Sequence, residues 1–555
     1  MSKRCHMAGM LIFPFLVAWV YGFPSDAQNV TCTTRPPGDN SNACASTAFV
    51  DTAIAGISFP TLPLSIVNGG TGTSTPNLTA GTNVTISGMW PNQTISATGG
   101  GAGSGTVSSG SQGQTAYYLS NGTTVAGLPG AVNVFTYFTS PQITDVTTKA
   151  CTQDVSSAMN VALAAANYVY FPAGLYCMTA PLIINTGQHI IGDGQYATTF
   201  QAKTAATALL QTVNYSTLLN GGSAGGPYGW VVEKIAFDGN RTHVTGEANN
   251  IQIFGYNYTL RDVLTENAPA TSFDLLGNGL FSQWGPQAAV PVSGGGDSME
   301  AHLTNVKAYN NARDGFWFEG PSDTHLMDIL SELNGYIGLE CLSSAGVGGA
   351  QYGCGLHGSN IQIYASGLLN LALNSTPGST WGSVANLNNL DIGVAGNVPC
   401  IGGCTAAGGI YTANHSELRS STIATYSNHG YGIYLSSNNN YIGTINSASN
   451  TTAGISIGGS GNIISNAFSI GNGTQGLTIF GGTLNQVNAV TTQQNGADGI
   501  DVSSANNIIS SCLNYANTGY GVDMSAASYV IGCRSTSNVA GTYLSSGGAT
   551  LVNNY

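Results

Sequence analysis

Carboxylates are unevenly spread along this chain. Asp262, Glu266, Asp274, Asp297, Glu300, Asp314, Glu319, Asp323, Asp328, Glu332 and Glu340 fall within residues 262–340, and only Asp391, Glu417, Asp498, Asp501 and Asp523 follow. Two of them sit in matching segments, Gly315–Glu319 (GFWFE) and Gly338–Cys341 (GLEC), which begin 23 residues apart. Strand alternation sends Phe316, Phe318, Leu339 and Cys341 to one face and Trp317, Glu319 and Glu340 to the other. If the segments stack, Glu340 lies on Trp317, with Glu319 its diagonal neighbour roughly 7–8 Å away. Two carboxyl groups about 6.5–9.5 Å apart suit inverting cleavage of a glycosidic bond. One protonates the leaving oxygen, and the other activates water.

The catalytic candidates are Glu319, Glu340 and Asp323, with Asp314 a nearby alternative. Trp317, Trp284 and Arg313 are candidates for holding substrate. Tyr411 and Tyr434 join them, on an outward stripe that continues through Ser456 and Thr478. Asp501 and Asp523 occupy one outward position on successive repeats and should stack about 5 Å apart. Such a pair raises one pKa or recruits a cation. The bland reading is that these acids are simply solvated on an outer face. His302, His325 and His357 read as structural or incidental. No C-x2-C pairs have zinc-site spacing, so no metal is assigned.

These placements depend on the repeat. Gly432, Gly454, Gly476, Gly499 and Gly521 each open a short run of alternating apolar residues, at steps of 22, 22, 23 and 22. An Asn precedes each of these five, and also Gly315 and Gly338, by four: Asn311, Asn334, Asn428, Asn450, Asn472, Asn495 and Asn517. A fixed period with period-2 alternation inside it means stacked β-coils about 4.8 Å apart. Asn tolerates the left-handed turn conformation and can bond from coil to coil. Val155, Ala158, Met159, Ala162, Leu163 and Ala166 mark one face of a helix that Thr152 or Asp154 can cap. The class expected is all-β: a single-stranded parallel β-helix of about 22 residues per coil, with an N-terminal capping helix and a Gly/Ser/Thr-rich stalk before it.

Composition agrees. Charged residues make up 7% of the 555, yet 42% are hydrophobic, enough for a large core. A net charge of −13 with 12 Lys+Arg excludes the basic footprint of a nucleic-acid binder. Lys3, Arg4 and an apolar run to Val20 read as a signal peptide over residues 1–27, too short an apolar run for a comfortable membrane span. No later stretch spans a bilayer. Cys5 would leave with the signal. The other ten cysteines form sequence-local couples, which suggests disulfides: Cys32/Cys44, Cys151/Cys177, Cys341/Cys354 and Cys512/Cys533, with Cys400/Cys404 the weakest couple. The divisions expected are 1–27 signal, 28–130 low-complexity stalk, 131–150 linker and 151–555 β-helix.

Thr34–Val50, Val67–Thr73 and Gln112–Val125 resemble N-terminal regions of phage tail fibres and tail spikes. Asp154–Gly194 resembles the entry to the pectate-lyase-like right-handed β-helix family, which includes phage tail-spike depolymerases. The resemblance implies a right-handed solenoid, a polysaccharide partner, a homotrimer, and an extracellular or virion-tail location. The expected function is binding and hydrolysis of a surface polysaccharide. The alternatives are a non-catalytic adhesin and a pectate-lyase-type lyase. Calcium enters only under the lyase alternative; otherwise no cofactor is expected.

Overall fold

The computed structural model describes residues 131–219, 226–272, 276–283, 300–320, 322–345, 351–375, 382–401, 403, 408–413 and 415–555, with four short strands before them. The expected signal peptide, most of the expected stalk, Cys32, Cys44, Trp284 and Cys404 lie outside the described residues. The chain divides into two units, Met1–Gly103 and Ser104–Tyr555. In the first, Val84–Ser87 pairs antiparallel with Thr94–Ala97. In the second, Ala116–Tyr118 pairs antiparallel with Val125–Gly127, and a long solenoid follows.

The solenoid has a 22-stranded and a 15-stranded sheet. Strands pair in parallel from coil to coil, for example Ile433↔Ile455, Leu477↔Ile500 and Ile500↔Val522. Long strands of the larger sheet bend at one residue of positive φ: Asp262 (54°), Asn305 (51°), Asp328 (55°), Asn360 (57°) and Asn389 (53°). Asn and Asp reach this region at lower cost than other side chains. Each bent strand therefore supplies two walls, and the short strands of the smaller sheet supply the third. The corner side chains also bond between coils: Asn305 Nδ2 donates to Asp262 Oδ1 at 2.7 Å, and Asn389 Nδ2 to Asn360 Oδ1 at 2.7 Å.

The bore is apolar. Ile433, Leu435, Ile455, Ile457, Leu477, Ile479, Ile500 and Val502 are fully buried. Each contributes about 1.5–3 kcal/mol relative to exposure. At the corner entering the smaller sheet, the Asn run forms a buried ladder. Asn428, Asn450, Asn472, Asn495 and Asn517 each donate Nδ2 to the Oδ1 of the next, at 2.8–2.9 Å, the last to Asn538. A buried amide needs such partners. A second ladder, Asn440–Asn462–Asn485–Asn507, lines the corner leaving that sheet. The repeated glycine is steric. A Cβ on Gly454 would sit 2.1 Å from Ser469 Oγ and 2.6 Å from Asn472 Nδ2.

The N-terminal end is closed by the helix Ser156–Ala165, which buries Met159, Ala162 and Leu163 on the core. Asp154 Oδ1 accepts from the Ser156 backbone N–H at 3.0 Å, while Thr152 bonds Asp145 instead. Residues 131–150 are not a linker. Ala131–Asn133 pairs with Tyr168–Phe171, and the helix Ser140–Thr148 packs on the strand Gly174–Met178, Val146 lying against Gly174. Val134 and Val146 are fully buried, and Thr139 and Gln142 form a capping box. Apolar anchors within a polar stretch are enough to dock it. Cys151–Cys177, Cys341–Cys354 and Cys512–Cys533 are disulfides, and Cys400 is also disulfide-bonded.

Candidate carboxyl site on the outer face of the smaller sheet

Register builds the site. Down the outer face of the 15-stranded sheet the partners run Phe281, Trp317, Glu340, Ala372, Tyr411, Tyr434, Ser456, Thr478, Asp501, Asp523. Glu340 is thus vertically paired with Trp317, and Glu319 stands two residues along the same strand as Trp317. The face is not an open, solvated one here. Trp317, Glu319, Glu340 and Arg313 are 3, 7, 6 and 6% exposed, and Asp314 is fully buried.

One cation faces three buried carboxyls. The Arg313 guanidinium stacks 4.1 Å from the Trp317 ring and 5.7 Å from Tyr336, with Nε 3.8 Å from Asp314 Oδ2. Asp314 Oδ1 accepts from the Ile337 backbone N–H at 2.8 Å, and Glu340 Oε1 accepts from Asn374 Nδ2 at 2.6 Å. Burial raises the pKa of Glu319 to about 7, the Glu340 charge adds to that, and Arg313 offsets part. Burial raises Asp314 and Glu340 as well. These two share a hydrogen bond that favours the proton on Asp314 and the charge on Glu340. Burial raises both Glu319 and Glu340, while the Asn374 and Asp314 hydrogen bonds and Arg313 pull Glu340 back, so the two acids sit in different surroundings, as acid–base chemistry requires.

Beyond the carboxyls the column is aromatic. Phe281 packs 4.5 Å from Trp317 on one side. On the other, Tyr411 and Tyr434 lie 5.4 Å apart, Tyr431 lies 5.2 Å from Tyr434, and Phe480 lies 5.6 Å from it. Further along, Asp501 pairs in register with Asp523 and accepts from Thr478 Oγ1 at 3.3 Å. Burial and then the Asp523 charge raise Asp501. Six register steps separate Asp501 from Glu340, about 29 Å at the strand spacing, so the two acid groups are separate.

Asp323 is elsewhere. It belongs to the strand Ser322–Glu332 of the larger sheet and bonds His357 Nε2 at 2.8 Å. There His302, His325 and His357 stack at 4.9 and 5.6 Å. No group of three or more His, Cys, Asp or Glu among the described residues is arranged to hold a metal ion. Sequence reasoning missed Tyr336, Phe281, Asn374, Tyr431 and Phe480. Phe281 carries the same signal as Trp317, a Gly-led alternating run (Gly279–Gln283), but 36 residues before Gly315 rather than 23, so the period hides it.

Two family models match the solenoid. Residues 148–283 match rhamnogalacturonase A/epimerase, pectate lyase-like, and residues 408–555 match the right-handed β-helix region. The fold is a pectate-lyase-like right-handed β-helix. No curated protein matches the chain. Among solved β-helices it is similar to the N-terminal fragment of gene product 12 of bacteriophage Phi29, at 13% identity over 73% of this chain and 71% of that one, TM-score 0.48. It is also similar to the mannuronan C-5 epimerase A-module of Azotobacter vinelandii, at 13% identity over 76% and 98%, TM-score 0.38. A third is the catalytic unit of an α-1,3-glucanase from Streptomyces thermodiastaticus, at 14% identity over 78% and 69%, TM-score 0.40.

Proposed function

We propose that this β-helix binds a polysaccharide along the outer face of its smaller sheet and hydrolyses it at Glu319 and Glu340. The observation that carries the reading is two buried carboxyls, Glu319 and Glu340, beside Trp317, on a column that continues into Tyr411 and Tyr434. Glu319 is the general acid. Glu340, held by Asn374, is the base that activates water. Aromatic faces supply surfaces for sugar C–H groups. Arg313, held between Trp317 and Tyr336, positions the acids and tempers their charge. The disulfides support work in an oxidising compartment, outside the cell or on a virion.

One observation favours a second reading, a non-catalytic polysaccharide-binding spike: the acids are nearly covered, so substrate must displace what lies over them. Incubation with a panel of bacterial capsular and O-antigen polysaccharides, followed by reducing-end assay, separates the two. Hydrolysis creates reducing ends. A spike binds without creating them. A lyase leaves unsaturated products that absorb in the near ultraviolet and depends on calcium. Undiminished cleavage by Glu319→Gln and Glu340→Gln would retire the site.

A further inference from the structure

Arginine is scarce in this chain, with 12 Lys+Arg among 555 residues. Arg261 pairs with Glu233, Arg313 with Asp314 and Arg419 with Glu417. Arg241 is half-buried and pairs with no carboxylate among the described residues. Its Nη1 donates to the Asn310 carbonyl at 2.8 Å, which fixes the guanidinium against the corner. Burial lowers its pKa. The guanidinium lines a cavity of about 490 Å³ with Asn310, Ala312, Gly335, Cys400 and Ile401, and every other lining residue is uncharged. The wall opposite is built in. Ile401 N–H donates to the Gly335 carbonyl at 3.0 Å, and a Cβ on Gly367 would sit 2.9 Å from Cys400 Cα. Ala312 and Gly335 are the chain neighbours of Arg313 and Tyr336, so the cavity adjoins the carboxyl cluster along the chain.

We propose that this cavity is an oxyanion site and that its ligand is the pendant carboxylate of an acidic sugar. A planar guanidinium with free donors matches a carboxylate bidentately. The protein as a whole carries −13, so its general field repels anions and only a local donor set can hold one. The assignment of the anion to a glycan rests on the polysaccharide reading above; the oxyanion site itself does not.

The test is calorimetric titration of the full chain with sodium glucuronate, glucose and sodium sulfate at constant ionic strength. Wild type is compared with Arg241→Gln, Arg241→Lys and Val398→Trp. Saturable glucuronate binding with no glucose binding is expected. Arg241→Gln should weaken it at least about tenfold. Arg241→Lys should bind more weakly than wild type and more tightly than Arg241→Gln, because it keeps the charge and loses the fork. Val398→Trp fills the cavity and leaves the Arg241–Asn310 bond intact, so it tests the site even if Arg241→Gln does not fold. Equal glucuronate affinity in wild type and Val398→Trp overturns the site, as does no binding by wild type. Sulfate binding without glucuronate binding overturns the glycan assignment in favour of a free inorganic anion. Reducing-end release by Glu319→Gln tests the hydrolase reading separately, because Glu319 does not line this cavity.

Discussion

At the scale of single residues, the chemistry comes from burying more negative than positive charge. Three carboxyls share one guanidinium under cover, so protons are retained where water would remove them. Glu319→Gln and Glu340→Gln should each lower hydrolysis by about 10²–10⁴-fold, read as reducing ends released per minute. The rate should fall as pH rises through about 7, because Glu319 must hold its proton and its pKa is raised to about 7. The same shift has a stability consequence. The folded pKa is above the ordinary 4.5, so the folded state binds the extra proton. The stabilisation is complete below about pH 4.5 and is lost as pH rises to about 7. Thermal melts across that window should show a fall in Tm that Glu319→Gln flattens; an unchanged slope in the variant would refute the assignment. Glu319 and Glu340 were legible because strand alternation and a 23-residue offset decide which side chains are vertical neighbours. Their burial was not, because it depends on what packs over the sheet. Tyr215, for example, is itself buried, and burial first and the nearby Glu319 charge second raise its pKa.

At the scale of elements, the ladders and disulfides hold adjacent coils in register. Asn472 donates to Asn495 and Ser469 and accepts from Asn450 at 2.8 Å. Asn472→Ala should cost about 2–3 kcal/mol in urea unfolding, since it strands buried partners on both sides. Thr451→Ala, at an exposed position one coil before it, should cost under about 0.5 kcal/mol. Replacing both Cys512 and Cys533 by Ala opens a 21-residue loop between neighbouring coils. It should cost about 3 kcal/mol by the loop-entropy estimate, checked by denaturation with and without reductant. The Asn–Gly spacing made the first ladder readable. The second was missed because Asn440, Asn462, Asn485 and Asn507 precede no glycine landmark. The segment 131–150 was misread for a related reason: three-residue strands and a single capping box carry little periodic signal.

At the scale of the whole molecule, the solenoid turns sequence offset into distance. Glu340 and Asp501 lie on one face but too far apart to act on one bond, and Asp323 occupies another wall. The homotrimer remains a proposal, and size-exclusion with light scattering at micromolar concentration tests it: a mass of three chains supports it, and a mass of one refutes it. The amino-acid sequence alone determined the coil period, the inward and outward faces, the capping helix and three of the disulfides. All of these follow from contacts within a coil or between adjacent coils, where spacing along the chain equals spacing in space. Only the tertiary structure decided that Arg313 bridges Trp317 and Tyr336, that Asp314 bonds Glu340, and that Arg241 lines a cavity with no paired carboxylate among the described residues. Those facts depend on corners, on side-chain direction off the strands and on segments such as 398–401 that fold back over them, and no repeat encodes any of the three.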